Sequence, residues 1–257
     1  MNPIQAIGRA TIAALRTVGR AALFGVRGVG AMLSPPWFFG QLGRQLMGVG
    51  YFSLPVVGLT AVFTGAALAL NIYTGGGRFN AEQIMPQIVA LGITRELGPV
   101  LAALMLAGRV SAAMAAEIGA MRATEQIDAL NTLSTEPMRY LIAPRLLATV
   151  IVMPLLVVVA DIIGIAGGWV VATKTLDFNG AVYVKNTWDF LQSWDVESGL
   201  IKAAVFGFIV ALMGCYHGYN SSGGARGVGR ATTHAVVSAA ILIFAADYLL
   251  TSAFTHR

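Results

Sequence analysis

Leu146-Leu-Ala-Thr-Val-Ile-Val-Met-Pro-Leu-Leu-Val-Val-Val-Ala160 is the middle of an apolar stretch running from about residue 141 to 172. At 1.5 Å per residue it exceeds the ~30 Å of a bilayer's hydrocarbon layer, so it reads as a transmembrane helix that tilts, kinks or protrudes. Four further stretches of spanning length lie at about 49–73, 84–114, 199–219 and 232–254. Composition agrees. Of 257 residues, 56% are hydrophobic and only 11% charged, where soluble domains carry ~25% charged residues. Seventeen Lys/Arg and twelve Asp/Glu cannot cover the surface of a soluble protein this size. A secreted disulfide scaffold, a disordered regulator and a cytosolic enzyme are excluded, and the single cysteine, Cys215, excludes an intrachain disulfide.

The net charge of +5 is concentrated at one end. Arg9, Arg16, Arg20, Arg27 and Arg44 all precede the first acidic residue, Glu82. On a helix at ~100° per residue the first four fall within a sector of about 40°, with Ile4, Ile7, Leu15 and Val18 opposite. Such a helix lies in the membrane plane with its arginines toward anionic headgroups, which points to a membrane surface and away from nucleic acid. Pro35-Pro36 ends it, and Trp37-Phe38-Phe39 follows as an interfacial aromatic anchor. The expected division is therefore an interfacial segment over 1–48 and a five-span domain over 49–257. Basic residues outside the spans set the orientation. A cytoplasmic N-terminus places Arg9, Arg16, Arg20, Arg27, Arg44, Arg122, Arg139, Arg145, Arg226 and Arg230 inside. Only Arg78, Lys174, Lys185 and Arg257 then lie outside, with the C-terminus on the far side. Small-residue pairs at Gly164/Gly168 and Gly214/Gly218 are candidate helix contacts.

Catalytic patterns are missing. Gly224-Ala-Arg-Gly-Val-Gly-Arg-Ala231 has phosphate-loop glycine spacing, but Arg230 and Ala231 occupy the Lys and Ser/Thr positions, so it reads as a basic cytoplasmic turn. His217, His234 and His256 lack metal-ligand spacing. No enzymatic activity and no cofactor are expected. What stands out is the set of ionisable residues inside spans: Arg95, Glu96, Asp161, Lys202 and Asp247. Each costs at least ~2.5–3.5 kcal/mol at mid-bilayer when unpaired, so each must face protein or a watery cavity. Pro99 cannot donate to the carbonyl of Arg95, so a kink with a freed carbonyl is expected beside two charges. Arg95 and Glu96 diverge by ~100° on a helix, and the pairing expected is Glu96 with Lys202 and Arg95 with Asp247. Asp161 has no evident partner. Between the second and third spans, residues 115–130 keep helical periodicity while carrying Glu117, Arg122, Glu125 and Asp128, which predicts a short amphipathic cytoplasmic helix offered to a soluble partner.

Two runs, Arg95-Glu-Leu-Gly-Pro-Val-Leu-Ala-Ala-Leu-Met-Leu-Ala-Gly-Arg109 and Ala116-Glu-Ile-Gly-Ala-Met-Arg-Ala-Thr-Glu-Gln-Ile-Asp-Ala-Leu130, closely resemble the MlaE/YrbE permease family. Gly227-Val-Gly-Arg-Ala-Thr-Thr233 and Asp247-Tyr-Leu-Leu-Thr251 fit its C-terminal pattern. The resemblance implies an all-α inner-membrane permease of an ABC transporter, working as a homodimer. It also implies an MlaF-like ATPase, an MlaD-like MCE protein, an MlaB-like STAS subunit and phospholipid as cargo, moved between inner and outer membranes to maintain lipid asymmetry. By the same resemblance the helix that contacts the ATPase corresponds to Glu117–Leu130, and the ionisable pocket to Arg95, Glu96, Lys202 and Asp247. Leu68, Ile72 and Phe79 fall at apolar pocket-lining positions. In the first outer loop Thr74-Gly-Gly-Gly-Arg78 departs from the family's bulkier residues. Two other readings compete: a proton-coupled secondary transporter using Glu96 and Asp247, and a non-transporting scaffold.

Overall fold

The computed structural model describes residues 3–35, 38–76 and 81–255. Trp37, Arg78, Phe79, His256 and Arg257 lie outside them, as do the side chains of the first ten residues. Among the described residues every regular element is helical. Five helical segments are long and apolar enough to cross a membrane, at 39–75, 84–123, 138–174, 193–219 and 224–254. Seven of their ten boundaries run outside those read from hydropathy, because polar turns at the ends remain helical, and those at 84, 219 and 254 coincide.

Helix α1 is Pro3–Leu33. The first span joins α2 (Phe39–Val49) through a 3₁₀ turn at Tyr51–Ser53 to α3 (Leu54–Gly76). The second is α4 (Ala81–Gly92), α5 (Gly98–Leu106) and α6 (Ala112–Ala123), linked by π turns at Ile93–Leu97 and Ala107–Ser111. After the short α7 (Gln126–Thr132), a third π turn at Met138–Ile142 leads into α8 (Ala143–Lys174). Helix α9 (Gly180–Phe190) precedes α10 (Ser193–Tyr219) and α11 (Gly224–Thr255). The Gly224–Ala231 segment is thus the first two turns of α11, a correction to the expected turn. The chain reverses instead at Gly223 and Gly224, with φ of 89° and 63°, a region glycine enters freely.

Helix α10 is the centre of the bundle, packed against α6, α8 and α11. Glycines permit this. A Cβ on Gly207 would lie 2.7 Å from the Thr149 carbonyl, on Gly214 2.8 Å from that of Ser111, and on Gly218 2.9 Å from that of Ala115. Gly65 on α3 meets Gly164 on α8 backbone to backbone, so small residues bring all three helix pairs together. The main core runs through Leu106, Met114, Leu146, Met153, Phe206 and Val210. A second cluster, Met85, Val89, Ile93 and Tyr183, fixes α9 to α4.

Helix α1 has three faces. Phe24, Gly25, Gly28 and Ala31 pack inward, with Phe24 edge-on to Tyr216 at 5.6 Å between ring centroids. Leu15, Val18, Leu23 and Val26 are exposed. Arg16, Arg20 and Arg27 separate the two surfaces.

Candidate functional site

Two of the three π turns are followed at once by a residue and then a proline: Gly98-Pro99 and Ala143-Pro144. A proline ring supplies no N–H to the carbonyl four residues back, and the ladder slips to i→i−5. Gly98 N–H accordingly donates to the Ile93 carbonyl, and Pro99, having no N–H, leaves the carbonyl of Arg95 without its helical donor. Lys202 fills the gap.

An ammonium group has three protons to donate. Lys202 Nζ donates them to the Arg95 carbonyl at 3.0 Å, Glu96 Oε1 at 2.8 Å and Thr251 Oγ1 at 2.7 Å. Asp247 Oδ1 lies 2.9 Å from the same nitrogen but takes no hydrogen bond, so it serves as a second counter-ion. Thr251 Oγ1 in turn donates to Glu96 at 3.1 Å. The Lys202 side chain is 2% exposed, against 39% for Glu96 and 19% for Asp247. The cation is buried while its carboxylates stay partly exposed.

The expected pairing of Glu96 with Lys202 is present, and that of Arg95 with Asp247 is not. Arg95 Nε donates to Asp195 Oδ1 at 2.6 Å. The reason lies in the start of α10. Hydropathy placed that span from 199 and left Asp195 in a loop, whereas α10 begins at Ser193. Asp195 there belongs to a capping box, with Asp195 Oδ2 accepting the Gln192 N–H at 2.9 Å. At i, i+3 and i+7, Asp195, Ser198 and Lys202 share one face of α10, turned toward Arg95 and Glu96. The Gln192-x-x-Asp195 spacing is the sequence signal for this partner.

Arg95, Glu96, Lys202 and Thr251 border a cleft of about 280 Å³, which Trp194, Ser198 and Phe254 complete. Trp194 and Phe254 meet edge to face at 5.6 Å and form its apolar wall. Leu68 and Ile72 do not reach this cleft; they pack at the edge of the second cluster, around Met85 and Val89. On the other side of the π turn, Thr94 faces an apolar groove of about 440 Å³ between α8 and α9. Asp161 borders that groove, buried against the Cα of Gly98 with its Oδ1 unbonded. On α9, burial pushes the Tyr183 phenol pKa up.

The charges between the second and third spans take up a second arrangement. The expected single amphipathic helix is two, α6 and α7, broken at Glu125, whose φ of 58° is left-handed. Arg122 donates across the break to Asp128 Oδ1 at 2.7 Å. Glu125 and Asp128 are exposed, while Glu117 accepts from Arg145 Nη2 at 2.9 Å and so ties α6 to α8. Arg145, expected among the basic residues outside the spans, is buried and also donates to the Leu141 carbonyl within the third π turn. Arg109, inside the second π turn, donates to Ser53 Oγ at 2.6 Å. Each π turn therefore holds or meets a cation, a regularity that linear reading missed because the partners are distant in sequence.

Comparison with known proteins decides the family, since the model of Permease MlaE matches residues 42–253. The chain belongs to the MlaE permease family. It is 49% identical over 254 residues to a "Probable ABC transporter permease protein" of Rickettsia bellii, covering 99% of this chain and 98% of that one. To the "Intermembrane phospholipid transport system permease protein MlaE" of Haemophilus influenzae it is 37% identical over 260 residues, covering 98% and 97%. The chloroplastic protein TRIGALACTOSYLDIACYLGLYCEROL 1 of Arabidopsis thaliana is 35% identical over 211 residues, covering 82% and 60%. This MlaE permease is an all-α, multi-pass membrane protein with five spans.

Proposed function

We propose that this MlaE permease is the membrane subunit of an ABC transporter that moves phospholipids between the inner and outer membranes and so maintains outer-membrane lipid asymmetry. The observation that carries the reading is the second span. One helical segment, 84–123, bears Arg95 and Glu96 at one end and leads at the other into the exposed Arg122–Asp128 clamp. The 27 residues from Arg95 to Arg122 correspond to about 40 Å of helix. An MlaF-like ATPase docking on Glu125 and Asp128 would push along this segment, and its π turns are the points where a helix changes register most easily.

The cleft suits an amphiphile. Its ionic rim offers Glu96 and the half-exposed Arg95 to a headgroup, while Trp194 and Phe254 offer an apolar wall to acyl chains. Leu68, Ile72 and Phe79 would line a separate apolar part of the cargo path in the assembled transporter. Val237, Ile241, Phe244 and Tyr248 form an exposed apolar stripe on α11, and Asp247 and Thr251 border it. A second copy on this stripe would set two clefts side by side in a homodimer. The N-terminus is cytoplasmic and the C-terminus periplasmic in this reading, with residues 1–48 at the inner surface and 49–257 in the inner membrane. An MlaD-like MCE protein then receives lipid on the outer side, and an MlaB-like STAS subunit accompanies the ATPase. The name of the Haemophilus influenzae relative and the cleft's chemistry support phospholipid as cargo.

The test is transfer of labelled phospholipid from proteoliposomes holding the purified complex to acceptor vesicles. Transfer that requires ATP and the ATPase subunit is expected. Equal transfer without ATP, driven by a pH gradient, would replace this reading with a proton-coupled one.

A further inference from the structure

A second polar cavity lies at the cytoplasmic end, far from the cleft at Lys202. It has a volume of about 750 Å³, within the ~300–1,000 Å³ typical of small-molecule sites. It opens between α1 and the last turn of α10, with Arg20 and Arg27 on one wall and Tyr219 and Asn220 on another. Arg20 and Arg27 are seven residues apart, two turns on one face, or about 10 Å. Neither has an ionic or hydrogen-bonding partner among the described residues. The acid in the lining, Glu136, is already bound to Arg139 Nε at 2.7 Å, and Arg139 Nη1 donates to the Pro35 carbonyl at 2.9 Å. Arg20, Arg27 and Arg139 against Glu136 leave the cavity with two uncompensated positive charges.

We infer that this cavity binds the phosphate of an anionic phospholipid of the inner leaflet, held by Arg20 and Arg27. Lipid is the occupant, and not a free anion, because of what adjoins the arginines. Leu23 lines the cavity, and Val26, at 70% exposed, continues the apolar surface outward along α1. A headgroup between the guanidiniums would leave its acyl chains along that surface. Phe24 and Tyr216 form the floor, packed against each other. Guanidinium suits phosphate because its planar fork donates two hydrogen bonds at once. The site would tie α1 to the bilayer at a fixed angle, next to the loop that carries Glu136 and Arg139 beside the ATPase-facing helices. The inference rests on the cytoplasmic surface position proposed for α1.

The test uses the full chain in nanodiscs of phosphatidylcholine with a minor fraction of phosphatidylglycerol, reading co-retained lipid by native mass spectrometry. At about 1 kcal/mol per arginine near a membrane surface, Arg20→Gln with Arg27→Gln should lower phosphatidylglycerol retention about thirtyfold and leave phosphatidylcholine unchanged. Arg16→Gln, outside the cavity on the same helix, should have far less effect than Arg27→Gln. The paired lysine variants Arg20→Lys and Arg27→Lys should keep part of the binding, which shows that the fold is intact. Equal effects of Arg16→Gln and Arg27→Gln would overturn the site, since a diffuse surface charge would then explain retention. Full displacement of phosphatidylglycerol by inorganic phosphate would also overturn it, in favour of a free anion. A spin label at Val18 reports the position of α1 separately: a lipid-buried label with no arginine effect rejects the site alone, and a water-exposed label rejects the surface position of α1.

Discussion

Lys202 on α10 donates to the main-chain carbonyl of Arg95 at 3.0 Å, an oxygen that Pro99 leaves without its helical donor. One proline thus creates both the π turn and the acceptor that seats a buried cation. The cation in turn allows Glu96 and Asp247 to sit together without prohibitive repulsion.

Lys202→Ala should destabilise the chain by about 3 kcal/mol, the low end for breaking a buried ion pair, because Glu96 opens on the cleft and Asp247 keeps 19% exposure. Thermal unfolding in detergent measures this. Adding Asp247→Asn, which removes one of the two stranded charges, should recover part of the loss. Additive losses in the double variant would show that the two groups are uncoupled.

Gly98→Ala places a methyl group against Asp161 and 2.8 Å from the Ile93 carbonyl. Overpacking of this kind costs about 1–3 kcal/mol. Asp161→Ala should relieve most of it, and thermal unfolding of the two single variants and the double variant gives the coupling. No coupling would mean that Asp161 does not brace the π turn.

Reversing Glu125→Lys and Asp128→Lys should lower ATPase co-purification at least about tenfold, since like charges at a docking surface repel a partner that has evolved against opposite ones. Membrane insertion should be unchanged, because both residues are exposed. Undiminished co-purification would place the docking surface elsewhere.

Much of the fold was legible because its causes are local. Long apolar runs such as Leu146–Ala160 state their spans outright, and the freed Arg95 carbonyl follows from Pro99 alone. The Glu96–Lys202 contact followed from depth and charge. Asp195 escaped because Ser193–Ser198 is too polar for a hydropathy window, although its capping box already fixes it on α10. Arg145 escaped for the opposite reason: at a span's edge it reads as a loop cation, and only the fold brings Glu117 to it from 28 residues away. The break at Glu125 leaves no trace in periodicity, because a single left-handed residue changes direction without changing the apolar spacing on either side.

Whether the cleft bordered by Glu96 and Lys202, with Asp247 as the second counter-ion of Lys202, holds cargo lipid is read from one measurement. It is the amount of phospholipid bound per purified complex, read together with thermal stability, for Glu96→Gln and Asp247→Asn. The account predicts that lipid occupancy and lipid transfer fall severalfold in both variants while assembly with the ATPase persists. Occupancy and transfer equal to those of the unaltered complex, in variants that fold normally, would contradict it.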